Sequence, residues 1–172
     1  MHTIYTIGHS TRTIEQFIEL LRAHGIEELV DVRTVPRSRH NPQFGTEELA
    51  ASLQQEEIAY THLGKLGGLR HASKDSVNLG WQNTSFRGFA DYMATSEFQA
   101  GLDELKSLAE KKTITIMCAE AVPWRCHRSL IADALTVQGW QVLHIQSRKT
   151  ASPHELTPFL KVQDGKIIYP EP

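Results

Sequence analysis

Strands alternating with helices predict an α/β fold in one domain. The expected form is a single-domain three-layer fold with a mainly parallel sheet of about five strands, helices on both faces and a small C-terminal hairpin. Three observations carry this expectation. Short β-rich runs recur between glycines and polar loops, segments of 3.6-residue apolar period separate them, and no repeat, low-complexity tract or linker interrupts the 172 residues. That length suffices for one buried core.

In order, Thr3-Ile4-Tyr5-Thr6-Ile7 reads as the first strand, ended by Gly8. The helix after it carries Ile14, Phe17, Ile18 and Leu21 on one face, a Thr13/Gln16 capping box at its start and Gly25 at its end. Leu29-Val30-Asp31-Val32 is the second strand and opens into a Pro-, Arg- and Ser-rich loop from Arg33 to Gly45. A helix from about Glu47 begins with acidic residues that suit the positive end of its dipole. Ile58 to Leu63 makes the third strand. The polar stretch from Gly64 to Ser85 reads as irregular, and a loop that long in a compact domain is usually functional or mobile. Helices follow near Phe86–Thr95 and Glu97–Glu110, the second opening on a Ser96/Gln99 capping box. Thr113 to Cys118 is the clearest strand. A helix from about Trp124 to Gln138, a fifth strand from Gln141 to Ile145, a short helix starting at Ser152-Pro153-His154-Glu155 and an Asp164-Gly165 hairpin turn complete the chain.

Hydrophobic residues make up 40% and charged residues 22%, an ordinary soluble balance that excludes disorder and fibrous repeats. No apolar run approaches the ~20 residues of a membrane span. The start lacks the basic and apolar stretches of a secretory signal, so a cytoplasmic location without a membrane partner is expected. Cys118 and Cys126 are too few to staple such a domain and are expected as thiols, ligands or reactive groups. The net charge of -2 excludes a protein basic all over, though not a local basic patch.

Sheets of this kind bind ligands outside the carboxyl ends of their strands. The four segments leaving expected strands, 8–13, 33–45, 64–88 and 118–128, hold eight of the ten arginines with Lys65 and Lys74, against only Asp75 and Glu120. They carry +8 and the rest of the chain -10. The planar arginine fork suits phosphate and carboxylate. Helix N-termini after Ser10 and near Arg125 would add N–H donors. A positively charged, anion-binding pocket at the C-terminal edge of the sheet is therefore expected. The competing reading is that these arginines are solvated or tie loops down through carbonyls.

The densest reactive stretch is Met117-Cys118-Ala119-Glu120-Ala121-Val122-Pro123-Trp124-Arg125-Cys126-His127-Arg128. Cys126 is expected in the first turn of a helix, where neighbouring cations pull a thiol below its free pKa of ~8.5. It is the preferred nucleophile. His127 would be the base or acid, and Glu120 is the segment's one carboxylate. The order strand, Cys, loop, Arg, helix resembles the anion loops of cysteine phosphatases and rhodaneses. Cys118 to Arg125 is Cys-x6-Arg, however, one residue longer than the phosphatase loop, and Glu120 would repel a dianion. No cofactor is expected. A metal at Cys118, Cys126 and His127 is the weaker alternative, lacking a paired CxxC spacing. For Cys118 the favoured reading is a buried small hydrophobe.

His9 and Ser10 follow the first strand through a glycine, where they would reach a ligand or, for Ser10, cap a helix. Asp31 and Arg33 point to the same side of their strand and suit a structural pair. Gly67 and Gly68 would let backbone approach a ligand, but match neither a P-loop nor a dinucleotide fingerprint. Phe89 and Tyr92 are expected in the core, with Trp81 open between packing and stacking on a base or sugar. His2, His24, His62, His144 and His154 suggest no partners.

Five ordered motifs give the chain a family resemblance: Thr6-Ile7-Gly8-His9-Ser10-Thr11-Arg12; Asp31-Val32-Arg33 with Pro36, Ser38 and Arg39; His62-Leu63-Gly64-Lys65-Leu66-Gly67-Gly68; Trp81-Gln82-Asn83 with Phe86-Arg87-Gly88-Phe89-Ala90-Asp91-Tyr92-Met93; and Met117-Cys118-Ala119-Glu120 with Pro123-Trp124-Arg125-Cys126-His127-Arg128. Through them it resembles the family called domain of unknown function 488 over nearly its whole length. The resemblance implies no established reaction, and its motifs fall on the strand-end segments. The first expectation for function is an enzyme acting on a phosphate-bearing ligand, a nucleotide or nucleic-acid end. Arg33, Arg39, Arg125 and Arg128 would hold the anion, with His9, Ser10, Glu120, Cys126 and His127 around it. A pocket-facing Glu120 would suit a hydrolytic or glycosidic-bond reaction. The alternatives are a non-catalytic nucleic-acid module, with affinity falling steeply with salt, and a thiol or metal sensor. The sequence sets neither the substrate nor the oligomeric state.

Overall fold

Ile4, Ile7, Leu29, Val30, Ile114 and Ile116 are fully buried, as strands covered on both faces require. A computed structural model describes residues 2–172. Its elements are β1 (Thr3–Gly8), α1 (Ile14–Ala23), β2 (Glu28–Asp31), α2 (Thr46–Gln55), β3 (Ala59–His62), α3 (Thr84–Tyr92), α4 (Ser96–Lys111), β4 (Ile114–Cys118), α5 (Arg128–Val137), β5 (Gln141–Ile145), β6 (Ala151–Pro153), β7 (Lys161–Gln163) and β8 (Lys166–Ile168). Short 3-10 turns occupy Pro42–Phe44, Gly64–Leu66 and Pro123–Arg125.

Six strands form one sheet in the order β3-β2-β4-β1-β5-β6, parallel except for β6. The β7–β8 hairpin stands apart, turning through Asp164 and Gly165 at φ 53° and 76°. Alternation along the strands sorts the core into two layers. Phe17, Leu21, Leu49 and Leu53 of α1 and α2 pack with Ile7, Leu29 and Met117 on one face. Phe89, Leu102, Leu105, Leu130 and Leu135 of α3, α4 and α5 pack with Ile4, Val30, Ile116 and Cys118 on the other. The α/β sandwich expected from the sequence is the observed one.

Three local expectations are corrected. Ala151–Pro153 is an antiparallel edge strand on β5, where a short helix was expected. An edge accommodates a residue such as Pro153 that cannot donate to the ladder. The α4 helix is capped by Thr95, whose side chain accepts from the Phe98 amide at 3.2 Å, so Ser96 is its first helical residue and not its cap. The α5 helix starts at Arg128, four residues after the expected Trp124. Pro123 begins a 3-10 turn closed by the Cys126 amide donating to the Pro123 carbonyl at 3.1 Å, and Cys126 itself is extended at φ -138° and ψ 147°.

The order also fixes where a ligand would sit. From β1 the chain steps through β2 to β3 in one direction, and from β3 through β4 to β5 in the other. The loops leaving the neighbours β1 and β4 therefore part to opposite faces, which makes their carboxyl ends a topological switch point. The two loops are zipped at their roots: His9 N–H donates to the Cys118 carbonyl and Ser10 N–H to that of Ala119, each at 2.9 Å. A Cβ on Gly8 would lie 1.7 Å from the Glu120 carbonyl oxygen, so only glycine permits this approach.

Candidate functional site

Next to the switch point, the loops after β2, β3 and β4 enclose a cleft of about 360 Å³ together with the start of α3, a volume suited to a small ligand. The β2 loop contributes Arg33, Thr34, Val35 and Arg37, and the β4 loop contributes Cys118, Ala119, Glu120, Arg125, Cys126 and His127. Gly68, Leu69, Ser85 and Phe86 close the third side. Val35, Leu69 and Phe86 make part of the lining apolar, and Leu69 is 71% exposed.

Its cations differ in kind. Arg33 is buried and clamped by Asp31, with Nε 2.9 Å from Oδ1 and Nη2 2.7 Å from Oδ2. Asp31 also accepts from Tyr60 at 2.6 Å. Burial, then this carboxylate, pushes the Tyr60 phenol up to about 12. The expected structural pair is thus present, and it neutralises an arginine expected to hold the anion. Arg37 and Arg125 are exposed, and among the described residues no carboxylate pairs with either.

The thiols lie where the two core layers meet the cleft. Cys118 ends β4 and Cys126 ends the Pro123–Arg125 turn, and both are free and buried. The imidazole of His127 has its Nε2 2.9 Å from the Val32 carbonyl, which fixes that nitrogen as the donor, and its Nδ1 3.5 Å from the Cys126 sulfur. Burial lowers His127 to about 4, so it is neutral at pH 7. A Cβ on Gly68 would meet its Nδ1 at 2.7 Å, so the glycine lets the chain lie against the ring.

Cys126 departs from expectation. It is extended and buried instead of lying in the first turn of a helix, and burial followed by the Cys118 sulfur pushes its thiol well up. Cys118 is shifted down: burial opposes this, but the neighbouring Cys126 side chain and the charge of Arg128 outweigh it. The core reading of Cys118 is right about burial and misses this polar neighbour.

Other expected residues lie outside the cleft. His9 is buried, stacked on Phe44 at 4.4 Å, with its Nδ1 2.8 Å from the Ser10 carbonyl, and it backs Arg33. Ser10 has φ 52° and does not cap α1, which Thr13 does. Ser38 accepts from the Asn41 amide at 3.2 Å, Arg39 is exposed elsewhere on the loop, and Gly67 packs on Thr34. Arg128 is buried beneath the β4 loop. Arg70 donates to the Gly67 and Gly64 carbonyls and covers the Tyr92 ring at 3.6 Å, and Arg87 donates to the Trp81 carbonyl. For these two, tying loops down is the correct reading. Phe86, one of the aromatics on which the sequence allows a base or sugar to stack, lines the cleft, and so do Arg37, Val35 and Leu69, which the sequence does not single out although Arg37 shares its loop with Arg33 and Arg39.

A larger hollow of about 840 Å³ lies by α1 and the loop after β5, lined by Arg12, Arg148 and Lys149. It contains no thiol or imidazole, and Arg148 is paired with Glu19 at 2.8 Å, so the chemistry favours the smaller cleft. Among the described residues no group of three His, Cys, Asp or Glu converges to hold a metal ion, and no helix is long and apolar enough to cross a membrane. A family model described as domain of unknown function DUF488 matches residues 13–135. No curated protein and no solved structure matches the chain.

Proposed function

The chain belongs to the DUF488 family, and from that premise we propose that it is an enzyme binding a phosphate-bearing ligand, a nucleotide or nucleic-acid end, in the cleft at the C-terminal edge of its sheet. One observation carries this reading: two exposed arginines without carboxylate partners, Arg37 and Arg125, share a cleft with an apolar wall and a set of ionisable groups. The guanidinium forks would take the phosphate. Val35, Leu69 and Phe86 would cover the ring of a base or sugar. Glu120 is the only carboxylate of the cleft and would take a proton from water in a hydrolytic step. Arg33, tied to Asp31, shapes the floor instead of binding the anion.

A thermal-shift series against nucleotides, sugar phosphates and short oligonucleotides tests the binding. A ligand at 100 times its Kd should add ~2.7 kcal/mol of stability, and replacing Arg37 and Arg125 together by alanine should abolish the shift. No shift from any of the three classes would end the reading. Glu120→Gln should bind and not turn over, whereas full activity would remove Glu120 from the mechanism. A non-catalytic nucleic-acid module would instead bind only oligonucleotides, with affinity falling steeply with salt.

A further inference from the structure

A second hollow, of about 490 Å³, lies where the β4 loop meets β5 and β6. That size suits a small ligand or one part of a larger one. Its walls are aromatic, from Trp81, Trp124 and Phe159. Trp81 stands edge to face on Phe159 at 4.9 Å and on Tyr169 at 5.5 Å, which fixes its ring. Trp124 instead is 67% exposed and presents its indole to solvent. Among the large apolar side chains left exposed, Val35 and Leu69 line the cleft, and Trp124 and Leu156 line this pocket. Apolar surface gathered around two adjoining hollows marks a ligand groove.

The two hollows differ in charge. Arg33, Arg37 and Arg125 line the cleft, whereas among the described residues no lysine or arginine lines the pocket. Its one carboxylate, Glu155, is exposed and in no ion pair among the described residues. A phosphate would find no counterion there. A neutral planar ring with N–H groups on its edge would stack on indole and donate to the carboxylate. His144 and His154 also line the pocket, but their ring nitrogens are spent on Thr6, on each other and on Asp133. The lining thus suits holding a ring and not reacting with it.

Pocket and cleft adjoin at two places. Trp124 lines the pocket and Arg125 the cleft, and consecutive Cα atoms lie about 3.8 Å apart. Both belong to the 3-10 turn Pro123–Arg125, a geometry that sends neighbouring side chains about 120° apart. Trp81 of the pocket and Phe86 of the cleft meet edge to face at 5.2 Å.

We propose that this pocket is a nucleobase site, and that the ligand of the cleft is the end of a single-stranded nucleic acid and not a free nucleotide. This rests on the reading of the cleft as a phosphate site. The terminal phosphate lies on Arg37 and Arg125, and the base of the adjoining nucleotide stacks on Trp124. Such a base must be unpaired and turned out of its stack, which a single strand offers at least cost.

Calorimetric titration with the adenosine monophosphates and with the dinucleotides pApA and ApAp, which cover both strand directions, tests the site. Each dinucleotide is compared with an analogue lacking the base farther from the terminal phosphate. One dinucleotide should bind at least tenfold tighter than its abasic analogue. Trp124→Ala should remove that difference and leave monophosphate affinity unchanged, and Trp124→Phe, which keeps a stacking ring, should restore most of it. Trp124 is exposed, so its replacement spares the core, and circular dichroism checks the fold. Dinucleotides that bind no tighter than their abasic analogues, or a difference that survives Trp124→Ala, would overturn the base site alone, since monophosphate binding would still support the cleft. Undiminished dinucleotide binding after both Arg37 and Arg125 are replaced by alanine would defeat the phosphate reading of the cleft. No binding of any of these compounds would defeat both.

Discussion

Asp31 and Arg33 form the most fully satisfied ion pair of the rim, with neither side chain more than 6% exposed. Removing one partner leaves a buried charge without compensation, so Asp31→Asn should cost about 3–5 kcal/mol in urea unfolding. A loss under 1 kcal/mol would mean that the pair is better solvated than its burial implies. This pairing was legible because residues two apart on a strand share a face. The partners of His144 and His154 were not. His144 Nε2 lies 2.8 Å from His154 Nδ1, and His154 Nε2 lies 2.7 Å from Asp133 on α5. Strand β5, edge strand β6 and a helix must pack before those groups meet, and no local spacing encodes that. The same holds for Arg128, whose fork the sequence suggested for anion binding and the packing buried.

Element boundaries decide where Cys126 lies. Apolar periodicity located α5, but Pro123 reads equally well at the first position of an α-helix or of a 3-10 turn. The chain takes the turn, Cys126 becomes extended, and its thiol points into the core instead of capping a dipole. At α4 the ambiguity lay between adjacent hydroxyls, Thr95 and Ser96. Thr95→Ala should cost ~1 kcal/mol and Ser96→Ala only a few tenths, measured by urea denaturation. Equal losses would contradict the cap assignment. The Thr13/Gln16 box, read from the same offset as the Ser96/Gln99 one, is present with both reciprocal bonds.

At the scale of the molecule, two neutral histidines, buried His144 and half-buried His127, link stability to pH. Burial lowers His127 to about 4, and burial followed by the charge of His154 lowers His144 to about 3. Both titrate near 6.5 in the unfolded chain, which therefore binds more protons than the folded one at acidic pH. Stability should fall as the pH drops below 6.5, by about 2 kcal/mol per histidine down to pH 5. Urea midpoints that stay level from pH 7 to pH 5 would contradict this.

The segregation of charge along the sequence follows the fold, since the strand ends that carry arginine lie at one edge of the sheet. It overcounted the arginines available to a ligand, because charge alone cannot tell one that binds carbonyls, like Arg70, from one left free, like Arg125. That Arg37, Arg125 and the cysteine loop act as one ligand site is tested most directly by titrating a phosphate ligand into isotope-labelled protein and following the amide resonances. The expected result is saturable shifts clustered at Arg37, Gly68, Leu69, Cys118 to Glu120 and Arg125 to His127. Shifts confined to Arg12 and Arg148 to Thr150, or scattered without saturation, would contradict it.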